Sequence, residues 1–230
     1  MVFGGLQKVT LLDYPEKTAC TLFTTGCNFR CAFCQNSSLL VAGEGGQAIS
    51  EADVLSFLES RVGLLDGVCI SGGEPLLNDD IDGFIGKLKA MGFLVKLDTN
   101  GNEPEALRRL VSAGVIDYVA MDIKNSPDKY ALTIGVPGYD ISPVKESIEF
   151  LQSCGVSYEF RTTVVREFHT ADDLLTVAAW LCDAEKYFLQ GFINSDGVLK
   201  SGLSGYSSVE MRDLLDTVKA ELPTAELRGV

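Results

Sequence analysis

Six short apolar segments alternate with six amphipathic ones along this chain, and that alternation constrains its fold more than any other feature. The strand-like segments are Thr18–Thr25, Gly67–Ser71, Phe93–Asp98, Asp117–Asp122, Ser157–Val164 and Lys186–Phe192. They are rich in β-branched and aromatic residues and mostly apolar on both faces, as in strands covered on both sides. Helix signatures lie between them. Ser50-x-x-Asp53 opens the first, with Val54, Phe57 and Leu58 on one face. Ile81, Phe84, Ile85 and Leu88 stripe the second, which stops near Gly92. Pro104 starts a third that closes near Gly114, and Ser142-Pro143 a fourth that stops at Gly155. Thr170-x-x-Asp173 caps a fifth, and Ser208 to Ala220 is a sixth. Six βα units in a row imply a parallel sheet with right-handed crossovers. A closed eight-stranded barrel takes about 250 residues. Six units in 230 residues, with a long excursion after Cys34, predict an α/β fold of the partial (β/α)6, TIM-like barrel type. No repeat, low-complexity tract or linker interrupts the sequence, so residues 1–230 are expected to form a single domain.

Ligands of such folds bind at the C-terminal ends of the strands, and the unusual polar residues gather there. The first strand is followed by Cys27-x-x-x-Cys31-x-x-Cys34, three thiols within eight residues. The second is followed by Ser71-Gly72-Gly73-Glu74-Pro75. Asp98-Thr99-Asn100-Gly101 ends the third and Met121-Asp122-Ile123-Lys124 the fourth; Arg161 lies in the fifth and Gln190 near the end of the sixth. Thiolates select zinc, copper(I) or iron–sulfur clusters. A fourth cysteine is missing nearby, so a bound metal group keeps one position open, as catalytic sites do and closed structural sites do not. Zinc would want a fourth ligand, and the only histidine, His169, is distant in sequence and reads as a surface or capping residue. A zinc knuckle in a non-enzymatic protein stays the alternative.

Composition excludes other classes. The balance of 19 basic and 32 acidic residues gives net −13, a surface that repels phosphate backbones, so no nucleic-acid partner is expected. Met1 to Lys17 does not read as a signal peptide, and the longest apolar runs, such as Val177 to Cys182, are too short to span a bilayer. A cytoplasmic protein with no membrane partner is expected. Seven cysteines without framework spacing argue for metal or catalysis rather than disulfides. Cys20, Cys69, Cys154 and Cys182 sit in apolar runs and read as buried small hydrophobes. His169 as the only histidine excludes a multi-histidine metal site, and there is no Walker-type loop.

The cysteine motif, followed one βα unit later by Gly72-Gly73-Glu74-Pro75, resembles the radical S-adenosylmethionine (SAM) enzymes. Several segments resemble the branch that activates glycyl radical enzymes: Gly5-Leu6-Gln7-Lys8, Leu12-Asp13-Tyr14-Pro15, Thr25-Gly26-Cys27-Asn28-Phe29-Arg30-Cys31, Asp98-Thr99-Asn100-Gly101, Met121-Asp122-Ile123-Lys124 and Tyr187-Phe188-Leu189-Gln190. Together they resemble the anaerobic ribonucleoside-triphosphate reductase activating proteins, from about Gly4 to Gln190.

The resemblance implies a [4Fe–4S] cluster on Cys27, Cys31 and Cys34, with SAM chelating the fourth iron. One electron then cleaves SAM to methionine and a 5′-deoxyadenosyl radical, which takes a hydrogen atom from a backbone glycine of the partner. It implies that the Gly72-Gly73 edge receives the methionine amino group, with Glu74 near it. Asp98 and Thr99 are implied at the ribose hydroxyls or a monovalent cation, Asp122 at that cation, Lys124 facing SAM, Arg161 at the methionine carboxylate and Gln190 at adenine. It also implies Asp13 at the glycyl loop of the partner, and flavodoxin or ferredoxin as electron donor. Blander readings stand beside these: Glu74 at a strand-to-helix turn, Lys124 in an ion pair, Arg161 in a salt bridge to Asp122 or Glu159, Asp13 in an N-terminal turn. Gln35 departs from the family pattern, in which a histidine commonly follows the third cysteine. A small-heterocycle enzyme similar to 7-carboxy-7-deazaguanine synthase is the alternative function.

Overall fold

A computed structural model of the chain describes residues 1–40 and 48–230. The chain divides into two compact units. The first comprises Met1–Asn28 with Ser38–Ala120, the second Phe29–Ser37 with Met121–Val230. The elements run β1 (Val2–Thr10), β2 (Ala19–Thr24), β3 (Ile49–Ser50), α1 (Glu51–Glu59), β4 (Gly67–Gly72), α2 (Ile81–Ala90), β5 (Leu94–Thr99), α3 (Pro104–Ser112) and β6 (Tyr118–Asp122). Then follow α4 (Tyr130–Thr133), α5 (Ser142–Ser153), β7 (Ser157–Val164), α6 (Ala171–Trp180), β8 (Tyr187–Gly191), α7 (Ser208–Lys219) and β9 (Ala225–Arg228).

In the first unit β2, β4 and β5 pair in parallel, with Leu22 opposite Ile70 and Ile70 opposite Leu97. These side chains are fully buried, as are Val54, Leu58, Ile85 and Leu88 on the helices. Each such burial contributes about 1.5–3 kcal/mol. In the second unit β7, β8 and β9 pair in parallel, with Thr162 opposite Leu189 and Leu189 opposite Leu227. Val144, Leu151, Leu174 and Val177 supply the buried helix faces. Both units therefore place the C-terminal ends of their parallel strands at one edge of their sheet.

The six expected strands lie within one residue of their observed limits, and the six expected helices are present. Ser50 caps α1 by accepting from the Asp53 amide, and Thr170 with Asp173 forms a reciprocal capping box on α6. Three strands were not expected. β1 runs antiparallel to β2 with two register irregularities, which spoil its alternation; β3 has two residues and pairs with Val2 and Phe3 of β1. β9 is short and charged, and Arg228 at its end donates two hydrogen bonds to the buried Glu159 carboxylate, at 2.6 and 2.9 Å.

Two burial expectations are corrected. Cys20 and Cys69 are buried, but Cys154 is half-buried and Cys182 exposed. Cys154 is the C-cap of α5, and Cys182 follows the C-cap of α6, so neither belongs to the inward stripe of its helix. Among the described residues no helix is long and apolar enough to cross a membrane.

Candidate functional site

The first unit carries Cys27, Gly72, Gly73, Glu74, Asp98 and Thr99. The chain leaves β2 at Thr24 and turns at Gly26 into the cysteine motif. Two backbone hydrogen bonds stitch this turn to the next loop: Gly73 N donates to Thr24 O (3.0 Å) and Glu74 N to Gly26 O (2.8 Å). The approach leaves no room for side chains. Gly72 has φ +116°, and a Cβ on Gly73 would stand 2.0 Å from Gly26 O.

Glu74 is wholly buried. Its carboxylate accepts from Leu76 N (3.1 Å), Thr99 Oγ1 (2.8 Å) and Asn100 N (2.7 Å). Those bonds make Glu74 a brace between the loops after β4 and β5, and the blander reading, an acid at the start of a helical turn, is part of what it does. Thr99 Oγ1 also accepts from Gly101 N (3.1 Å). Asp98 is ion-paired with the buried Lys96 and accepts from Ser71 Oγ (3.0 Å). Lys96 escaped the sequence reading, although residues two apart in a strand share a face.

Asn100, for which the sequence suggests no separate role, is buried, and its Nδ2 donates to Asn28 Oδ1 (2.8 Å) and approaches Cys27 Sγ (3.9 Å). Asp13, at the other end of β2, accepts from Thr21 Oγ1 and is turned by Thr10 Oγ1, which accepts from Leu12 N and Asp13 N. Leu11 and Leu12 beside it are exposed.

The second unit carries Cys31, Cys34, Asp122, Lys124, Arg161 and Gln190. Cys34 N donates to Cys31 O (3.0 Å), closing a turn between the two thiols. The segment after β8 is laced to this turn: Leu199 N donates to Cys34 O (3.0 Å) and Lys200 N to Ala32 O (2.9 Å). Gln35 adds its side chain, Nε2 donating to Ile193 O at 2.8 Å. The residue that departs from the family pattern is therefore an anchor of the cysteine segment.

Asp122 stands between two cations. Its Oδ2 is 2.9 Å from Lys124 Nζ and its Oδ1 2.9 Å from Arg161 Nε. Burial pushes the carboxyl up, but the Arg161 and Lys124 charges outweigh it and hold the group well below the usual carboxylate range. The triad keeps one surplus positive charge, which suits an anion better than a second cation. Arg161 thus takes Asp122 and leaves Glu159 to Arg228. Gln190 lies in β8 with Thr163 and Arg228 opposite it in register.

His169 was expected at the surface and is fully buried. Its Nδ1 accepts from Val165 N (3.0 Å), which leaves Nε2 to donate to Lys124 O (2.8 Å). That donation pins the chain just past β6, and the acceptance at Nδ1 needs a neutral ring. Phe33 packs edge-on against it at 6.1 Å, and the capping role falls to Thr170. Burial lowers the His169 pKa below its ordinary 6.5. The unfolded chain then binds a proton before the folded one as pH falls, so stability present above about pH 6.5 is lost below it. Denaturant titrations at about pH 7.5 and about pH 5.5 should show a stability loss that is smaller in His169→Gln. Equal losses in both proteins would remove His169 from the account.

None of the seven cysteines is in a disulfide. Among the described residues no three His, Cys, Asp or Glu side chains are grouped to hold a single metal ion. The Nδ2 of Asn28, the residue after Cys27, is buried with no hydrogen-bond partner among the described residues.

A model of the radical SAM superfamily matches residues 21–181, and the chain belongs to that superfamily. A putative glycyl-radical enzyme activating enzyme of Methanocaldococcus jannaschii is 32% identical over 198 residues, 84% of this chain and 80% of the relative. A 7-carboxy-7-deazaguanine synthase of Koribacter versatilis is 29% identical over 146 residues, 62% of this chain and 60% of that one. Among solved structures, Streptococcus suis SuiB bound to S-adenosylmethionine superposes with TM-score 0.70 at 15% identity, over 90% of this chain and 49% of SuiB. The fold is the α/β, partial-barrel fold of this superfamily, with a mostly parallel sheet. Membership implies a [4Fe–4S] cluster and SAM. The residues present fit them: three thiols in one loop, a glycine edge without side chains, and a buried amide donor beside Cys27 suited to a sulfur acceptor.

Proposed function

We propose that the chain is an activating enzyme that generates a glycyl radical on a partner protein, anaerobic ribonucleoside-triphosphate reductase. The observation that carries this is the 32% identity to a putative activating enzyme across 84% of the chain. The reading takes residues 1–230 as one radical SAM domain working in the cytoplasm with flavodoxin or ferredoxin as electron donor. Cys27, Cys31 and Cys34 would hold the cluster, which when reduced supplies the electron that cleaves SAM to the 5′-deoxyadenosyl radical.

The chain's own residues orient the substrate. Gly72 and Gly73 present bare backbone to the methionine amino group, with Glu74 holding that loop against Thr99 and Asn100. Lys124 and Arg161, sharing Asp122, offer surplus positive charge to the methionine carboxylate. Asp98 and Thr99 serve the ribose and Gln190 the adenine. Asp13, anchored by Thr21 beside the exposed Leu11 and Leu12, receives the glycyl loop.

The deazaguanine synthase relative supports a second reading, a radical SAM enzyme acting on a small heterocycle. Electron paramagnetic resonance separates the two. The reconstituted protein, given SAM, reductant and the reductase, should yield a glycyl radical on the reductase. SAM cleavage without that radical, stimulated saturably by a deazapurine precursor, would replace the first reading with the second.

A further inference from the structure

Three amides and one carboxylate form a chain of fixed hydrogen bonds that ends at Cys27. Glu74 is its root. It holds Asn100 by the backbone N–H (2.7 Å) and, through Thr99, fixes the start of the turn. Asn100 Oδ1 accepts from Asn102 N (2.9 Å), which settles how its side-chain amide is turned. Its Nδ2 must then face the other way, toward Asn28 Oδ1 (2.8 Å) and Cys27 Sγ (3.9 Å). Because Asn28 Oδ1 accepts from Asn100 and lies 4.0 Å from Cys27 Sγ, the Asn28 amide is turned as well. Its Nδ2 is left buried with no partner among the described residues.

A buried donor with no acceptor costs about 1–3 kcal/mol, and native structures rarely keep one without a reason. Here the donor belongs to the residue adjoining a cluster thiol. Sulfur that carries negative charge is the acceptor this position lacks. Hydrogen bonds to the sulfurs are among the features that set a cluster's reduction potential, because they stabilise the reduced, more negative state.

We propose that Asn28 and Asn100 form an amide pair that donates N–H···S hydrogen bonds to the Cys27 thiolate and to the adjoining sulfide, and so raises the potential of the cluster. Asn100 serves the thiolate and aligns Asn28; Asn28 supplies its orphaned N–H to sulfide. Both are positioning residues for electron transfer, and the inference rests on radical SAM chemistry and not on the identity of the partner.

The test uses the full chain, reconstituted anaerobically, as wild type, Asn28→Ala and Asn100→Ala. Iron and sulfide are assayed first, then the cluster is titrated against potential with the reduced state followed by electron paramagnetic resonance. Each variant should hold wild-type iron and sulfide. Each should show, at a fixed potential, about a tenfold lower ratio of reduced to oxidised cluster, equal to about 59 mV for one electron. Exchangeable protons strongly coupled to the reduced cluster, read by exchange into heavy water, should be fewer in both. An unchanged potential with an intact cluster would overturn the proposal, and so would loss of iron in the two variants, since a tuning pair leaves all three thiolates in place.

Discussion

Replacing Cys31 with alanine is expected to abolish the brown chromophore and SAM cleavage together. Cys31 is buried, and Cys34 N donates to its carbonyl, so the turn between the two thiols can persist without the Cys31 sulfur. What vanishes is one of three thiolates on a cluster that normally wants four. Burial works against the Lys124 charge, but Asp122 and, after it, Cys31 raise its pKa. The variant therefore loses a ligand and part of the field around the Lys124–Asp122–Arg161 triad. Removing an outer-shell partner of a metal site costs about 10–100-fold, and removing a ligand from an already open cluster should cost more, down to the blank rate. Iron content, absorbance and 5′-deoxyadenosine formation measure it. Cys182→Ala, at an exposed position, should leave all three unchanged. Cleavage that survived in Cys31→Ala would show that the cluster is held elsewhere.

The parts of this site that could be read from the sequence are those fixed by local chemistry. Strands covered on both faces announce themselves as unbroken apolar runs, so the ends of β2, β4, β5 and β6, and the polar residues on them, were placed to within a residue. The two-residue period of a strand puts Asp122 and Lys124 on one face, and they pair at 2.9 Å. What the sequence concealed is whatever depends on a second loop. Asn100-Gly101 has the composition of a turn and is one; that its amide also reaches Cys27 follows from Glu74, 26 residues earlier. His169 sits between Phe168 and a helix cap, where a surface reading is natural, yet the Val165 amide donating to Nδ1 and the Lys124 carbonyl accepting from Nε2 hold it buried in neutral form. Gln35 showed as a departure from the family motif, but its role as an anchor depends on Ile193, 158 residues away. β1 and β9 were missed because register shifts and charged residues mask their alternation.

Gly73→Ala should be the most damaging single methyl group in the first unit. The added Cβ would lie 2.0 Å from Gly26 O and 2.7 Å from Gly26 C. Both atoms are backbone, so no side-chain rotation relieves the contact. One of the two loops must move. If the β4 loop moves, the Glu74 N–H leaves Gly26 O and the Glu74 brace on Thr99 and Asn100 is disturbed. If Gly26 moves, Cys27 moves with it, since the two are adjacent in the chain. Overpacking costs about 1–3 kcal/mol, occasionally more, but the functional loss should exceed what the stability loss explains, because every route of relief displaces either a cluster ligand or the edge offered to SAM. Gly83→Ala provides the contrast. Gly83 lies exposed in α2 with nothing within 4 Å of an added Cβ, and the change should stabilise the chain by about 1 kcal/mol through helix propensity. Denaturant midpoints, iron content after reconstitution and SAM cleavage should therefore separate the two alanines, one losing iron and cleavage, the other neither. A Gly73→Ala protein that loaded iron fully and cleaved SAM at the wild-type rate would show that the glycine edge and the cysteine loop are not coupled.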